Sequence, residues 1–128
     1  MYIADLHIHS RYSRATSRDL TPERLDLGAR QKGIRLLGTG DFTHPAWRKE
    51  LWEKLIPAED GLYRLREEDV LEKGVESEEN RTRFVVTGEI SSIYKQEGKT
   101  RKVHSLILLP GLDAADQLAA KLEEIGNI

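Results

Sequence analysis

A helix with both of its ends marked, set between two short apolar runs, constrains this fold more than any other feature of the chain. Thr21-Pro22-Glu23 reads as a helix start. Threonine caps, proline occupies the first turn where its missing N–H is harmless, and glutamate favours the positive end of the helix dipole. Leu25, Leu27 and Ala29 follow, and Gly33 closes a helix of about twelve residues. Before it, Tyr2 to Ile8 alternates apolar and polar residues and reads as a strand. After it, Ile34 to Gly38 is nearly all apolar, as expected for a short strand covered on both faces. Strand, helix, strand is a right-handed crossover, which lays both strands parallel with their carboxyl ends on one edge of the sheet. Sheets of this kind bind their ligands at that edge.

The residues at the strand ends carry the chemistry. Asp5-Leu6-His7-Ile8-His9 ends the first run, and on an extended strand positions two apart share a face, so both imidazoles project together. Two imidazoles on one face can reach one metal ion, or they can be solvated or hydrogen-bonded strand histidines. Asp5 either orients an imidazole or caps the loop. The second run ends in Gly38-Thr39-Gly40-Asp41. A third, Phe84 to Thr87, ends at Gly88-Glu89, and His104 lies in a fourth that spans Lys102 to Leu109. Ser91 to Tyr94 pairs with that fourth run across the turn-like Gln96-Glu97-Gly98-Lys99 as a hairpin. Each connection returns a metal-compatible side chain to a common neighbourhood. With no cysteine in the chain, any metal must sit on nitrogen and oxygen. Such a set suits zinc, manganese or iron better than calcium or magnesium.

The remaining segments are read more briefly. Pro45 to Leu55 is an amphipathic helix, with Trp47, Leu51 and Leu55 at four-residue spacing. Ile56 to Arg83 is highly charged and weakly periodic, an excursion rather than a second domain. Asp113 is expected to cap a last helix, with Leu118, Leu122 and Ile125 on one stripe and Gly126 as its stop.

At 128 residues the chain is one domain by size, 1–128, and it holds no apolar stretch near the ~20 residues that span a bilayer. No membrane partner is expected. The amino terminus lacks a basic and apolar export signal, and the absence of cysteine suits a reducing compartment, so a cytoplasmic location is expected. The net charge of -2 gives no global attraction for a polyanion. Locally, Arg11 to Arg35 holds seven basic residues against three acids, which suits either a phosphate backbone or a solvated helix face. Arg11, Arg14 and Arg18 are candidate phosphate contacts, because guanidinium grips phosphate oxygens in bidentate fashion. His44, three residues past Asp41, is either a further phosphate or metal contact or a surface residue. Ser10 and Ser13 have no base to activate them except the histidines expected to hold metal, so serine nucleophile chemistry is rejected.

Taken in order, Asp5-Leu6-His7-Ile8-His9-Ser10, Gly38-Thr39-Gly40-Asp41, Gly88-Glu89-Ile90-Ser91 and Val103-His104 resemble the first motifs of the polymerase and histidinol phosphatase (PHP) superfamily. More narrowly, His9-Ser10-Arg11-Tyr12-Ser13-Arg14-Ala15-Thr16-Ser17 and Gly40-Asp41-Phe42-Thr43-His44-Pro45 are similar to the amino-terminal part of endonuclease Q-like proteins. The resemblance implies an α/β fold, a distorted β/α barrel that holds two or three divalent ions and hydrolyses phosphoester bonds. It implies that His7, His9, Asp41, Glu89 and His104 are metal ligands, with Asp41 and Glu89 serving catalysis. Asp41 stands where many superfamily members have histidine, which fits the narrower group. A histidine found in the first loop of some relatives is absent between Tyr12 and Ala15.

The superfamily's later ligands, another histidine and an Asp-x-His pair, have no counterpart here, since no histidine follows His104. The expectation is therefore about half a barrel of the PHP type, incomplete at the carboxyl terminus, with mostly parallel strands and one hairpin. Its open sheet edges would favour homo-oligomers. The expected function is metal-dependent phosphoester hydrolysis, on DNA at deaminated bases in the full-length protein, with this chain weakly active or inactive by itself. The alternatives are a phosphomonoesterase acting on a small molecule and a noncatalytic metal-binding scaffold.

Overall fold

The computed structural model describes residues 3–6, 8, 10, 20–72 and 81–124, with the backbone alone at 91–94 and 96. The elements run β1 (Ile3–Asp5), α1 (Pro22–Lys32), β2 (Ile34–Gly38), α2 (Pro45–Lys54), β3 (Leu55–Pro57), β4 (Tyr63–Leu65), a 3-10 turn (Glu67–Asp69), β5 (Arg83–Gln96), β6 (Lys99–Leu109) and α3 (Leu112–Glu124). Among the described residues no helix is long and apolar enough to cross a membrane.

The crossover forms as its end signals require. The Thr21 side chain accepts a hydrogen bond from the Arg24 amide, and Gly33 takes the left-handed conformation, its N–H reaching back to the last carbonyls of α1. β1 and β2 pair in parallel, Ala4 with Leu36 and Asp5 with Leu37, and β2 pairs in parallel with β5, Leu37 with Phe84 and Gly38 with Val85. The sheet order is β1-β2-β5-β4-β3, with β6 on β5. This is an open, mixed α/β sheet. Its antiparallel part is larger than one hairpin, because β3 pairs with β4 and β4 with β5, both antiparallel, in addition to β5 with β6.

The core lies on one face of the sheet. Leu37, Phe84 and Val86 project to the side where Ala29 of α1, Trp47 and Leu51 of α2, and Leu112 and Ala115 of α3 meet them in a single cluster. Trp47, Phe84, Leu51, Leu112 and Val86 are fully buried, each removing apolar area worth roughly 2 kcal/mol or more of transfer free energy. By the two-residue alternation of a strand, Val85, Thr87 and Glu89 project to the other face, away from the helices. α2 and α3 are also joined through Asp116, which accepts from Arg48 Nε at 3.0 Å and from Trp52 Nε1 at 2.9 Å.

Four expectations change. The first strand stops at Asp5 rather than Ile8, so strand alternation does not carry the argument for His7 and His9, which lie outside the described residues. β5 does not end at Gly88-Glu89 but continues unbroken to Gln96, with every residue from Val86 onward paired to β6. Gly88 is there to admit the Phe42 ring: a Cβ at that position would stand 2.2 Å from Phe42 Cδ1. The charged excursion after Ile56 contains β3 and β4, and its middle, 73–80, is outside the described residues. Finally, α3 begins at Leu112, one residue before the expected cap. The Leu112 N–H donates to the Tyr63 hydroxyl at 2.9 Å, which replaces a side-chain cap, while Ile125 and Gly126 lie outside the described residues.

Candidate functional site

At the carboxyl end of β2 the chain turns sharply over β5. Gly40 and Asp41 have φ of 67 and 49, two successive left-handed residues, a conformation that glycine adopts freely and aspartate tolerates better than most. The turn is stitched to β5 at nearly every residue. Thr39 N donates to Val85 O at 2.9 Å, Gly40 N to Thr87 Oγ1 at 2.9 Å, and Phe42 N to Thr87 O at 3.3 Å, while Thr87 N returns a bond to Thr39 Oγ1 at 3.2 Å. From the helix side, the buried Trp47 indole N–H reaches the carbonyls of Thr39 and Gly40 at 3.2 and 2.9 Å. Thr39 and Thr87 are both fully buried, so the threonine pair supplies the partners that these backbone groups need away from water.

Asp41 is the side chain this turn presents. Ser10 donates to Asp41 Oδ2 from both its backbone N–H and its hydroxyl, each at 2.7 Å. Two short bonds to one carboxylate oxygen fix the group's orientation. Ser10 is fully buried and directly follows the His-x-His segment in the sequence. Its other boundary, Leu6, lies against β2: a Cβ on Gly38 would stand 2.5 Å from the Leu6 carbonyl oxygen. Ile8, between the two histidines, packs on the core.

Glu89 and His104 form the second group. Glu89 is opposite Leu106 and His104 opposite Ser91, which makes the two diagonal neighbours on one face. The His104 ring nitrogen Nδ1 meets Glu89 Oε1 at 2.6 Å. An imidazole that donates from Nδ1 to a carboxylate carries its lone pair on Nε2 and has its ring orientation fixed. Glu89 follows Gly88, which touches Phe42, and Phe42 follows Asp41, so the two groups sit on adjoining stretches of backbone.

Of the residues singled out in the sequence, the structure thus brings Asp41 beside Ser10, and Glu89 beside His104. Among the described residues no three histidine or acidic side chains gather as a metal group. His7, His9, Arg11, Arg14 and Arg18 lie outside the described residues. His44 precedes α2 as its N-cap, with its N–H on the Asp41 carbonyl at 3.0 Å. Asp5 is on the α1 side of the sheet, where with Ile8, Arg24, Leu25 and Lys32 it lines a cleft of about 200 Å³. The role of Ser10 is to hold Asp41, which its sequence neighbourhood does not reveal. The signal for it, a small hydroxyl residue directly after His-x-His, says nothing of a partner 31 positions away.

No family model matches the chain. Over 120 residues, 94% of its length, it is 33% identical to an uncharacterised protein of Methanocaldococcus jannaschii, and it spans 11% of that protein. Among solved structures it is similar to the lesion-specific endonuclease PfuEndoQ of Pyrococcus furiosus, with a TM-score of 0.69 and 29% identity over 94% of this chain and 25% of that one. It is equally similar to endonuclease Q in complex with a 27-mer duplex substrate bearing an abasic lesion at the active site, with a TM-score of 0.68, 29% identity, and 93% and 25% coverage.

Proposed function

We propose that this chain forms part of a metal-dependent phosphodiesterase that cuts DNA at damaged nucleotides, with Asp41, Glu89 and His104 acting together with His7 and His9 as the metal-holding set. The observations that support the reading are two paired contacts beside the β2–β5 junction, Ser10 on Asp41 and Glu89 on His104, on stretches of backbone that adjoin where Phe42 packs on Gly88. The likeness to a lesion-specific endonuclease over 94% of the chain supports it.

The donor chemistry fits a transition ion. Carboxylate oxygens and an imidazole nitrogen are its usual ligands, and a carboxylate–imidazole contact of 2.6 Å is the kind of pairing that orients a coordinating histidine. When bound, such an ion supplies Lewis-acid activation of water and charge stabilisation at a phosphoryl group. The chain's own residues do the rest. Ser10 holds Asp41 Oδ2, the Thr39–Thr87 pair fixes the turn that presents Asp41, and Glu89 sets the tautomer and direction of His104.

The test is metal titration followed by strand cleavage. The purified chain is expected to bind one or more manganese or zinc ions by calorimetry, and Glu89→Gln or His104→Ala to weaken that binding about tenfold or more. With metal added, a duplex carrying one deaminated or abasic nucleotide is expected to be nicked, slowly, and Asp41→Asn to abolish the nicking. A chain that binds no divalent ion overturns the proposal. Turnover of p-nitrophenyl phosphate without nicking replaces it with a phosphomonoesterase.

A further inference from the structure

We propose that the far half of the β5–β6 hairpin is a phosphate-gripping ribbon, which lays a DNA duplex along the face that carries Glu89 and His104. This rests on the functional reading above for the identity of the site, while the ribbon itself is argued from charge and register. β5 meets β2 only at Arg83–Val85 and β4 only at Phe84. Beyond Thr87 and Gly88, which meet the Thr39–Phe42 turn, its strand partner among the described residues is β6 alone as far as the tip at Gln96 and Lys99. Every β6 residue from Lys99 to Leu106 is exposed. A two-stranded ribbon of this kind is narrow enough to enter a major groove.

The charge on it is mostly of one sign. Between residues 95 and 104 the chain places Lys95, Lys99, Arg101 and Lys102 against a single acid, Glu97, in a molecule whose net charge is -2. The register then sorts these cations. Lys95 is opposite Thr100, and Lys102 and His104 follow at two-residue steps, so Lys95 and Lys102 share the face of Glu89 and His104, while Arg101 and Lys99 take the other. Lys102 is one such step, roughly 7 Å, from His104. A strand rises about 3.4 Å per residue, the same as the axial spacing of phosphates on one DNA strand, so same-face positions two residues apart fall at the spacing of every second phosphate along from the one at the site.

The experiment is fluorescence anisotropy of labelled duplexes, one intact and one with a single abasic site, titrated with the full chain in EDTA at several salt concentrations. Wild type is expected to bind both and to weaken as salt rises. The variant Lys95→Glu/Lys102→Glu should bind both about tenfold or more weakly with a shallower salt dependence. Lys95→Arg/Lys102→Arg should bind as wild type, and so should Lys49→Glu/Lys121→Glu, which alters exposed cations on the helices. All four residues are exposed, so melting temperatures should match, and the neutral Lys95→Gln/Lys102→Gln pair serves if charge reversal perturbs folding. Wild-type-like binding by both the reversed and the neutral pair, or wild-type binding indifferent to salt, overturns the ribbon. If the ribbon variants lose duplex but the chain binds no metal, the functional reading fails and the ribbon stands. If metal binding and nicking hold while the variants bind as wild type, the ribbon alone fails.

Discussion

At the scale of single residues, the tightest constraints are two places where a side chain has no room. A Cβ on Gly38 would stand 2.5 Å from the Leu6 carbonyl oxygen and 2.6 Å from Thr87 Oγ1, and one on Gly88 would press into the fully buried Phe42 ring. Alanine at either position overfills a packed junction. Each is expected to lower unfolding free energy in urea by about 1–3 kcal/mol. Gly38→Ala should be the worse of the two, because a backbone carbonyl yields less readily than a ring. The sequence shows these glycines beside Asp41 and Glu89, and it shows the acids, so half of the candidate site can be read from one-dimensional spacing. What it hides is contact between distant positions. Ser10 and Asp41 are 31 residues apart, and the composition of neither neighbourhood contains their bond.

Between elements, charge pairs act according to their burial. Asp26 and Arg30 on α1 form a 2.7 Å ion pair with side chains only 2% and 7% exposed, and Arg30 also donates to the carbonyls of Leu71 and Glu72 beyond β4. Asp26→Ala would strand a buried guanidinium and is expected to cost about 3 kcal/mol in denaturant unfolding. The more open Lys54–Glu23 pair between α2 and α1 should contribute under about 1 kcal/mol. Arg83 on β5 reaches back to Glu59, and its hydrogen bonds, with the Arg83 and Arg64 charges, hold the Glu59 carboxyl below its ordinary value of 4.5. A depressed carboxylate stabilises the fold above its unfolded value and loses that contribution as pH falls through the folded one. Carbon NMR should therefore show Glu59 titrating low, and Glu59→Gln should remove that part of the acid sensitivity of melting. The helices were legible because caps and four-residue spacing are local signals. β3 and β4 were not, since three-residue strands such as Leu55–Pro57 are too short to display a period. The reach of β5 was masked by Gly88, which looked like a stop and is a vacancy made for Phe42.

Over the whole molecule, one cluster ties α1, α2 and α3 to the sheet, running from Ala29 through Phe84 and Trp47 to Leu112 and Ala115. A single shared core predicts a single cooperative transition. Far-UV dichroism and tryptophan emission should give superimposable urea curves, and separated midpoints would show that the parts melt independently. The two tryptophans divide the labour of such a measurement. Trp52 is 49% exposed and reports the outer surface, whereas Trp47 is fully enclosed and clasps the Thr39 and Gly40 carbonyls directly behind Asp41. The protein consequently carries its own optical gauge of the acid-bearing turn. In Trp52→Phe, any strain transmitted through those two carbonyls should appear as a change in the colour and quenching of one indole, with no dye attached.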